Sequence, residues 1–261
     1  MARDLLEEPA KESGNPMEAA RRAMRRPRLK RFYQQATAGK TDGGFALLLD
    51  GKMVKTPAKK RLVLPSRALA DAIATEWAAQ ESEIDPATMP LTRLANLAID
   101  RISEEAAAIR EEIVRYASSD HVLYRVGEPE GLVALQAAHW EPILEWAHSA
   151  LGARFILARG VNFVAQPEAA LTAARAEVET WPPPFALAAL ASLTSLAGSA
   201  LIALALARGR LTAVEAWNAA HVDEDWNIRQ WGEDAEAMNR RAQRFAEFEA
   251  AAKMLALLDR P

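Results

Sequence analysis

One histidine and three acidic residues lie close together near the start of the last predicted helix. His221 is followed by Asp223, Glu224 and Asp225. Carboxylate oxygens and an imidazole nitrogen are ligands for divalent cations, and a bound cation could activate water for hydrolysis. The same acids suit a helix N-terminus, because the helix dipole favours negative charge there. The sequence leaves open a metal-assisted hydrolase, with an acidic helix start as the simpler interpretation.

No other pattern for catalysis or nucleotide binding is present in the sequence. The four histidines form no HExxH pattern, no GxSxG motif occurs, and Gly43-Gly44 lacks the spacing of a phosphate-binding loop. The chain has no cysteine, which excludes disulfides, thiolate metal sites and cysteine nucleophiles. Beyond the acids near His221, the sequence therefore contains no motif that favours catalysis or a cofactor.

The composition is that of a globular protein without a general nucleic-acid surface. The chain has 261 residues, of which 50% are hydrophobic, and a formal net charge of -3. Residues 1–28 are predicted to be a flexible tail, and the segment 21–31 is basic without any acid. A general interaction module whose tail touches RNA is therefore another alternative to the hydrolase. Because acidic residues occur near the N-terminus, we predict neither a signal peptide nor a transit peptide.

One apolar segment is long enough to cross a membrane. Residues 185–206 carry no charge, and about 20 apolar residues span a bilayer. The segment is rich in alanine, contains serine and threonine, and is interrupted by Gly198. We therefore predict two short buried helices joined near Gly198, or one long buried helix, and no membrane span.

The periodicity of the rest of the sequence predicts an α+β fold. Strands are predicted within 29–65, with a two-residue turn at Asp50-Gly51, followed by a helix that Ser66 caps. Further helices are predicted over 91–102, 103–118 with Ser103 as its cap, 132–151, 167–181, 212–221 and 223–258. The chain is thus divided into a small N-terminal β-rich domain with a helix, residues 29–90, and a larger all-helical C-terminal domain, residues 91–261.

Polar residues interrupt the apolar row of the helix predicted over 91–102. Arg93, Asn96 and Asp100 lie among leucine, isoleucine and alanine residues. Buried polar groups need partners, because leaving them unpaired costs free energy. These three residues have no catalytic partners in the sequence. We therefore predict that they line the junction between the two domains, with direct contact to a partner protein as the alternative.

Tryptophan and acidic residues are concentrated in residues 222–236. Trp226 and Trp231 lie there with six acids, and tryptophan is enriched in the hot spots of protein interfaces. Gly232 is predicted to lie within the last helix, where it would allow another backbone to approach closely. The segment is therefore a candidate binding surface; the alternative is an ordinary amphipathic helix in which Trp226 packs toward the core.

Six segments of the chain resemble one known family. In chain order they are RFY (31–33), GGFALLLDGKMVKTPAK (43–59), LPSRALADAIATEW (64–77), IDPATMPLTRLANLAID (84–100), YRV (124–126) and WNIRQWGEDAEAMNRR (226–241). Together they resemble the assembly chaperone for the α subunit of the F-type ATP synthase, a family of mitochondria and α-proteobacteria. The resemblance extends over nearly all of residues 29–241.

The resemblance implies a two-domain α+β fold and a molecular chaperone without catalysis or cofactor. Family members hold the unassembled α subunit until the β subunit replaces them. The implied partner is the ATP synthase α subunit, with no nucleic acid and no membrane span, and the protein is expected to be monomeric alone. Without a transit peptide, it is expected in a bacterial cytoplasm, whereas eukaryotic relatives belong to the mitochondrial matrix.

The resemblance also implies that a carboxylate in the last helical region matters for function. The WGE string makes Glu233 the first candidate and Glu224 the second, with Trp231 as an apolar anchor. The full predicted partner-binding set is Glu233, Glu224, Trp231, Trp226 and Asp234. The structural alternative is an internal ion pair between Glu233 and Arg229, Arg240 or Arg241.

Overall fold

The computed structural model describes residues 29–160 and 162–258. The predicted basic tail over 1–28 lies outside the described residues, so its role stays a prediction. The described chain begins with a small antiparallel sheet and continues almost entirely as helices. The predicted α+β class is therefore confirmed.

The sheet is built around one central strand. Its strands are β1 (Ala36–Thr41), β2 (Gly44–Leu49), β3 (Lys52–Met53) and β4 (Val63–Leu64). β1 pairs with β2 along its whole length. β3 and β4 therefore share the other edge of β2, one at each end. Asp50 and Gly51 both have positive φ angles, as the predicted two-residue hairpin turn requires.

Helix α1 (Arg67–Ala78) covers this sheet. It buries an apolar face that includes Leu69 and Ile73. The Ser66 side chain accepts a hydrogen bond from the backbone N–H of Leu69, so the predicted N-cap is confirmed. The sheet and α1 together form the β-rich part of the fold.

The helical part has two further short strands, β5 (Tyr124–Arg125) and β6 (Ala158–Arg159), which pair in parallel. Its helices are α2 (Pro90–Leu97), α3 (Ser103–Ser118), α4 (Glu130–Leu151), α5 (Glu168–Glu179), α6 (Phe185–Ala197), α7 (Ala200–Ala207), α8 (Ala213–Ala220), α9 (Val222–Trp231) and α10 (Ala235–Leu257). Around α6 and α7 the apolar core is continuous, and it extends into the sheet. The two parts of the chain therefore share one core.

The uncharged segment forms two buried helices, as predicted. Gly198 has φ of 66° and ends α6, and Ser199 caps α7 by accepting a hydrogen bond from Ile202 N. Every residue of α7 is buried. Among the described residues, no helix is long and apolar enough to cross a membrane.

Two helix boundaries differ from the prediction. Ser103 is not an N-cap, because the π-helical segment Ala98–Ile102 joins α2 to α3 and the Ser103 hydroxyl donates to Ile99 O at 2.8 Å. Gly232 does not lie within a helix, because its φ of 90° and ψ of 175° end α9. A single glycine is tolerated inside a helix, so the periodicity on either side did not indicate this break.

Phe248 offers a test of the core. Its side chain is fully buried in α10, with its ring centroid 5.4 Å from that of Trp217. Phe248→Ala should lower the free energy of unfolding by about 3–5 kcal/mol, because a cavity replaces the ring. Phe163→Ala, at an exposed position, should change it by less than about 0.5 kcal/mol. Urea unfolding followed by circular dichroism measures both, and equal losses would contradict the assigned core.

Candidate functional site

A sharp corner between α9 and α10 presents an aromatic and an acidic side chain to solvent. Trp231 ends α9 and is 86% exposed. Glu233 follows Gly232 and is exposed. Asp234 caps α10, because its carboxylate accepts a hydrogen bond from Ala237 N at 2.7 Å. We call residues 231–234 the α9–α10 corner.

The carboxylate of Glu233 is available for a partner. Within the described part of the chain it forms neither an ion pair nor a hydrogen bond. Two of its three proposed internal partners are engaged elsewhere, since Arg240 pairs with Glu236 and Arg241 pairs with Asp225, and among the described residues no ion pair joins Glu233 to Arg229. The internal ion pair that was the structural alternative for Glu233 is thus not formed.

An arginine holds the two helices of the corner together. Arg241 of α10 is largely buried and lies 2.5 Å from the Asp225 carboxylate and 3.9 Å from that of Glu224, both on α9. A buried charge needs such partners, because removing it from water is costly. This contact therefore holds α9 and α10 together beside the corner.

His221, the residue before α9, is a buried and neutral side chain. Its Nδ1 lies 2.8 Å from Trp217 O, and its ring stacks on that of Trp217 with a centroid distance of 3.9 Å. Burial lowers the pKa of His221 below its usual value, against the opposing effects of the Trp217 carbonyl and the Glu224 carboxylate. The Glu224 carboxylate is 3.8 Å from Nε2.

The three acids that follow His221 lie against other side chains of the protein, and Glu224 and Asp225 share Arg241. Asp223 accepts a hydrogen bond from Gln136 Nε2 at 2.8 Å, whereas Asp225 binds Arg241. No group of three or more histidine and acidic residues in the described ranges could hold a metal ion. The geometry therefore gives no support to the metal-assisted hydrolase.

Trp226 is used inside the molecule. It is half-buried against the core, and a Cβ atom at Gly131 would come within 2.8 Å of its ring. The glycine thus lets α4 approach the indole closely. The structure brings Trp231, Glu233 and Asp234 together at the corner, whereas Glu224 lies in the first turn of α9 and the Trp226 ring packs against α4. Their roles in partner binding stay predictions.

Asp100 connects the helical part to the sheet. Its carboxylate accepts hydrogen bonds from Thr56 Oγ1 at 2.5 Å and from Ala58 N at 3.1 Å. Arg93 instead pairs with Glu247 of α10 at 3.0 Å, on an exposed surface within the helical part. Asn96 is half-buried. Of the three predicted junction residues, Asp100 therefore bonds directly across the two parts.

Glu76 is a junction residue that sequence reasoning did not identify. Its carboxylate in α1 accepts hydrogen bonds from Leu91 N and Thr92 N, both at 2.8 Å, and from Thr92 Oγ1 at 2.7 Å. Burial raises the pKa of Glu76, and these bonds oppose the effect. Pro90 gave an indirect signal, because a helix that starts there leaves the next N–H groups in need of an acceptor.

The α9–α10 corner exposes an aromatic and an acidic side chain, and Arg241 holds its two helices together. The described residues contain no cluster of three or more groups that could hold a metal ion. These features suit a protein that binds other proteins. The sequence model of the family described as ATP12 chaperone protein matches residues 30–148. Protein atp12, mitochondrial, of Schizosaccharomyces pombe is 25% identical over 226 residues, which cover 80% of this chain and 76% of that protein.

Two crystal structures are similar to this chain over most of their length. Atp12 from Paracoccus denitrificans is 38% identical, with a TM-score of 0.83, and the match covers 88% of this chain and 99% of that one. Atu1473 of Agrobacterium tumefaciens, a chaperone candidate, is 49% identical with a TM-score of 0.87, over 95% of this chain and 93% of that one. The chain belongs to the ATP12 family of ATP synthase assembly chaperones. The prediction of a non-enzymatic protein is confirmed by this membership.

The junction can be tested with one pair of substitutions. Asp100→Ala should lower the free energy of unfolding by about 1–3 kcal/mol, because the Thr56 hydroxyl and the Ala58 N–H lose their acceptor. Arg93→Ala should cost less than about 1 kcal/mol, because its ion pair is exposed. Chemical unfolding of both variants measures the difference, and a larger loss for Arg93→Ala would contradict this assignment.

The neutral state of His221 predicts a dependence of stability on pH. A depressed pKa means that the unfolded chain binds more protons than the folded protein below about pH 6.5. The stabilising contribution is therefore present above that pH and is lost as the pH falls toward the folded-state pKa. His221→Gln should show a smaller loss of stability than the unaltered protein between about pH 7 and pH 5. Identical pH profiles in urea unfolding would refute this prediction.

Proposed function

We propose that this protein binds the unassembled α subunit of the F-type ATP synthase through the α9–α10 corner. The observation that carries the proposal is the exposure of Trp231 beside the unpaired carboxylate of Glu233. Tryptophan contributes a large apolar area to an interface, and such anchors dominate binding energies. The carboxylate would meet an arginine on the α subunit and fix its orientation.

A chaperone for this subunit has a clear physical task. Before assembly, the α subunit exposes an apolar surface that its β neighbour later covers, and such surfaces lead to aggregation. A protein that covers the same surface prevents this, provided that it binds more weakly than the β subunit. An interface anchored by a few residues is suited to moderate affinity, because much of the binding energy offsets the loss of motional freedom.

In this proposal the helical part of the chain carries the binding site. Residues 29–90 form the N-terminal domain, and the helical domain from residue 91 presents the corner. The bonds of Asp100 and Glu76 support a fixed angle between them. We propose that the protein acts in a bacterial cytoplasm as a monomer, whereas the related protein of Schizosaccharomyces pombe is named as mitochondrial.

Substitutions at the corner test this function. Trp231→Ser should weaken binding to purified α subunit by about 2 kcal/mol or more, roughly thirtyfold, because the anchor is lost. Glu233→Gln should also weaken binding and should leave thermal stability unchanged, because its carboxylate has no internal partner. Glu81→Gln, an exposed acid on the N-terminal domain, is the matched control. Biolayer interferometry gives the affinities and calorimetry gives the stabilities.

Two results would count against the corner as the binding site. The first is full affinity in both corner variants. The second is a fall of several degrees in the melting temperature of Glu233→Gln, which would assign the residue a structural role. If the unaltered protein does not bind the α subunit, the proposed partner itself is wrong.

A further inference from the structure

The connection between α4 and α5 exposes three large apolar side chains that lie outside the corner. Ile156 and Leu157 are each 47% exposed, and Phe163 is 69% exposed. Scattered single apolar residues are normal on a surface, but a group of them marks an interaction site. We call Ile156, Leu157 and Phe163 the apolar loop patch.

A side-chain amide closes the base of this loop. Gln166 Oε1 accepts a hydrogen bond from Ile156 N at 2.8 Å, and its Nε2 donates to Ile156 O at 3.0 Å and to Val164 O at 3.3 Å. The amide thus binds both backbone groups of Ile156, as a neighbouring strand would. These bonds hold the backbones of Ile156 and Val164 together, and Phe163 directly precedes Val164. A braced loop loses less freedom on binding, which favours affinity.

The same loop is also attached to the core. Ala158 is buried within β6, which pairs with β5. Gly160 N donates a hydrogen bond to Arg125 O at 3.1 Å. The backbone therefore has fixed partners on its inner side, while the patch projects outward.

The surroundings of the patch are basic. Between Gly152 and Gln166 the sequence contains Arg154 and Arg159 and no acidic residue. Arg159 is exposed, and its side chain has no ion pair with any residue that the structure describes. Charge complementarity therefore favours a partner segment that carries a carboxylate beside its apolar groups.

One buried glutamine links the loop to the α9–α10 corner. Gln136 of α4 accepts a hydrogen bond from Val126 N at 3.1 Å and donates one to Asp223 Oδ1 at 2.8 Å. Val126 directly follows β5, the strand that holds the loop, and Asp223 belongs to α9, which ends at Trp231. The loop and the first turn of α9, the helix that ends at the corner, are therefore both attached to the N-terminal half of α4.

We propose that the apolar loop patch is a second contact site for the same unassembled subunit, and that it takes an apolar segment with an acidic residue beside it. This inference rests on the proposed function of the corner. The corner is acidic and the loop is basic, so the two sites together accept the subunit in one orientation. Aliphatic and aromatic side chains at the patch cover apolar surface that the corner is too small to cover.

A double substitution tests the patch. Leu157→Ser with Phe163→Ser should bind purified α subunit at least about tenfold more weakly, because two apolar contacts are lost. Arg159→Glu should weaken binding as well, by repelling the acidic residue. Val214→Ser, which removes another exposed apolar side chain on α8, is the matched control and should bind normally. Thermal unfolding of each variant should match that of the unaltered protein.

The outcomes separate this inference from the proposed function. If Trp231→Ser weakens binding and the double variant does not, the patch is refuted and the function of the corner stands. If the unaltered protein does not bind the α subunit, both proposals are overturned. Loss of sedimentation with anionic phospholipid vesicles, at unchanged α-subunit affinity, would assign the patch to a membrane surface. Loss of a dimer at unchanged affinity would assign it to a second copy of this chain. Either of these two results overturns the proposal.

Discussion

Burial of the uncharged segment that forms α6 and α7 is the constraint on which the rest of the structure depends. Helices α2, α3, α8 and α10 pack against α6, and α4 packs against α7. The turn at Gly198 is possible because α7 has its own acceptors. Asp120, which is fully buried, accepts a hydrogen bond from Leu201 N at 2.9 Å. Burial raises the pKa of Asp120. Removing this carboxyl group from water costs free energy, and its hydrogen bond at the start of α7 offsets part of that cost.

Helix α10, which packs against α6, buries one face and has its N-terminal end at the exposed α9–α10 corner. α10 packs its apolar face on α6, and its N-terminus meets α9 at Gly232. The glycine lets the chain reverse where a continuous helix would have placed Trp231 and Glu233 on different sides of one cylinder. Arg241 then sets the position of the corner from within the protein. Rigid support of an exposed anchor lowers the entropic cost of binding, which suits a chaperone that must bind and release.

Hydrogen bonds between polar groups also join the sheet part of the chain to the helical part. Glu76 satisfies the N–H groups at the start of α2, and Asp100 satisfies a hydroxyl and an N–H of the sheet region. These contacts cross an apolar core that is itself continuous. Apolar contacts alone would tolerate some sliding of one part against the other, whereas directional hydrogen bonds have one favourable geometry. The same logic applies to Gln136, which holds α4, α9 and the segment after β5 in register.

The sequence by itself determined the α+β class, the hairpin at Asp50-Gly51 and the Ser66 cap, and it limited the apolar segment to two buried helices or one. Each of these depends on local backbone preferences or on apolar periodicity, which neighbouring residues determine. Tertiary structure alone decided that Ser103 continues a helix, that Gly232 ends one, and that Glu76 meets Thr92. It also decided that the acids after His221 lie against Gln136 and Arg241 and that Ile156, Leu157 and Phe163 are exposed. The pairing of Glu76, the partners of the acids and the exposure of the loop depend on contacts between residues distant in sequence, which local preferences do not encode. The breaks at Ser103 and Gly232 are local in geometry, but the periodicity on either side did not indicate them.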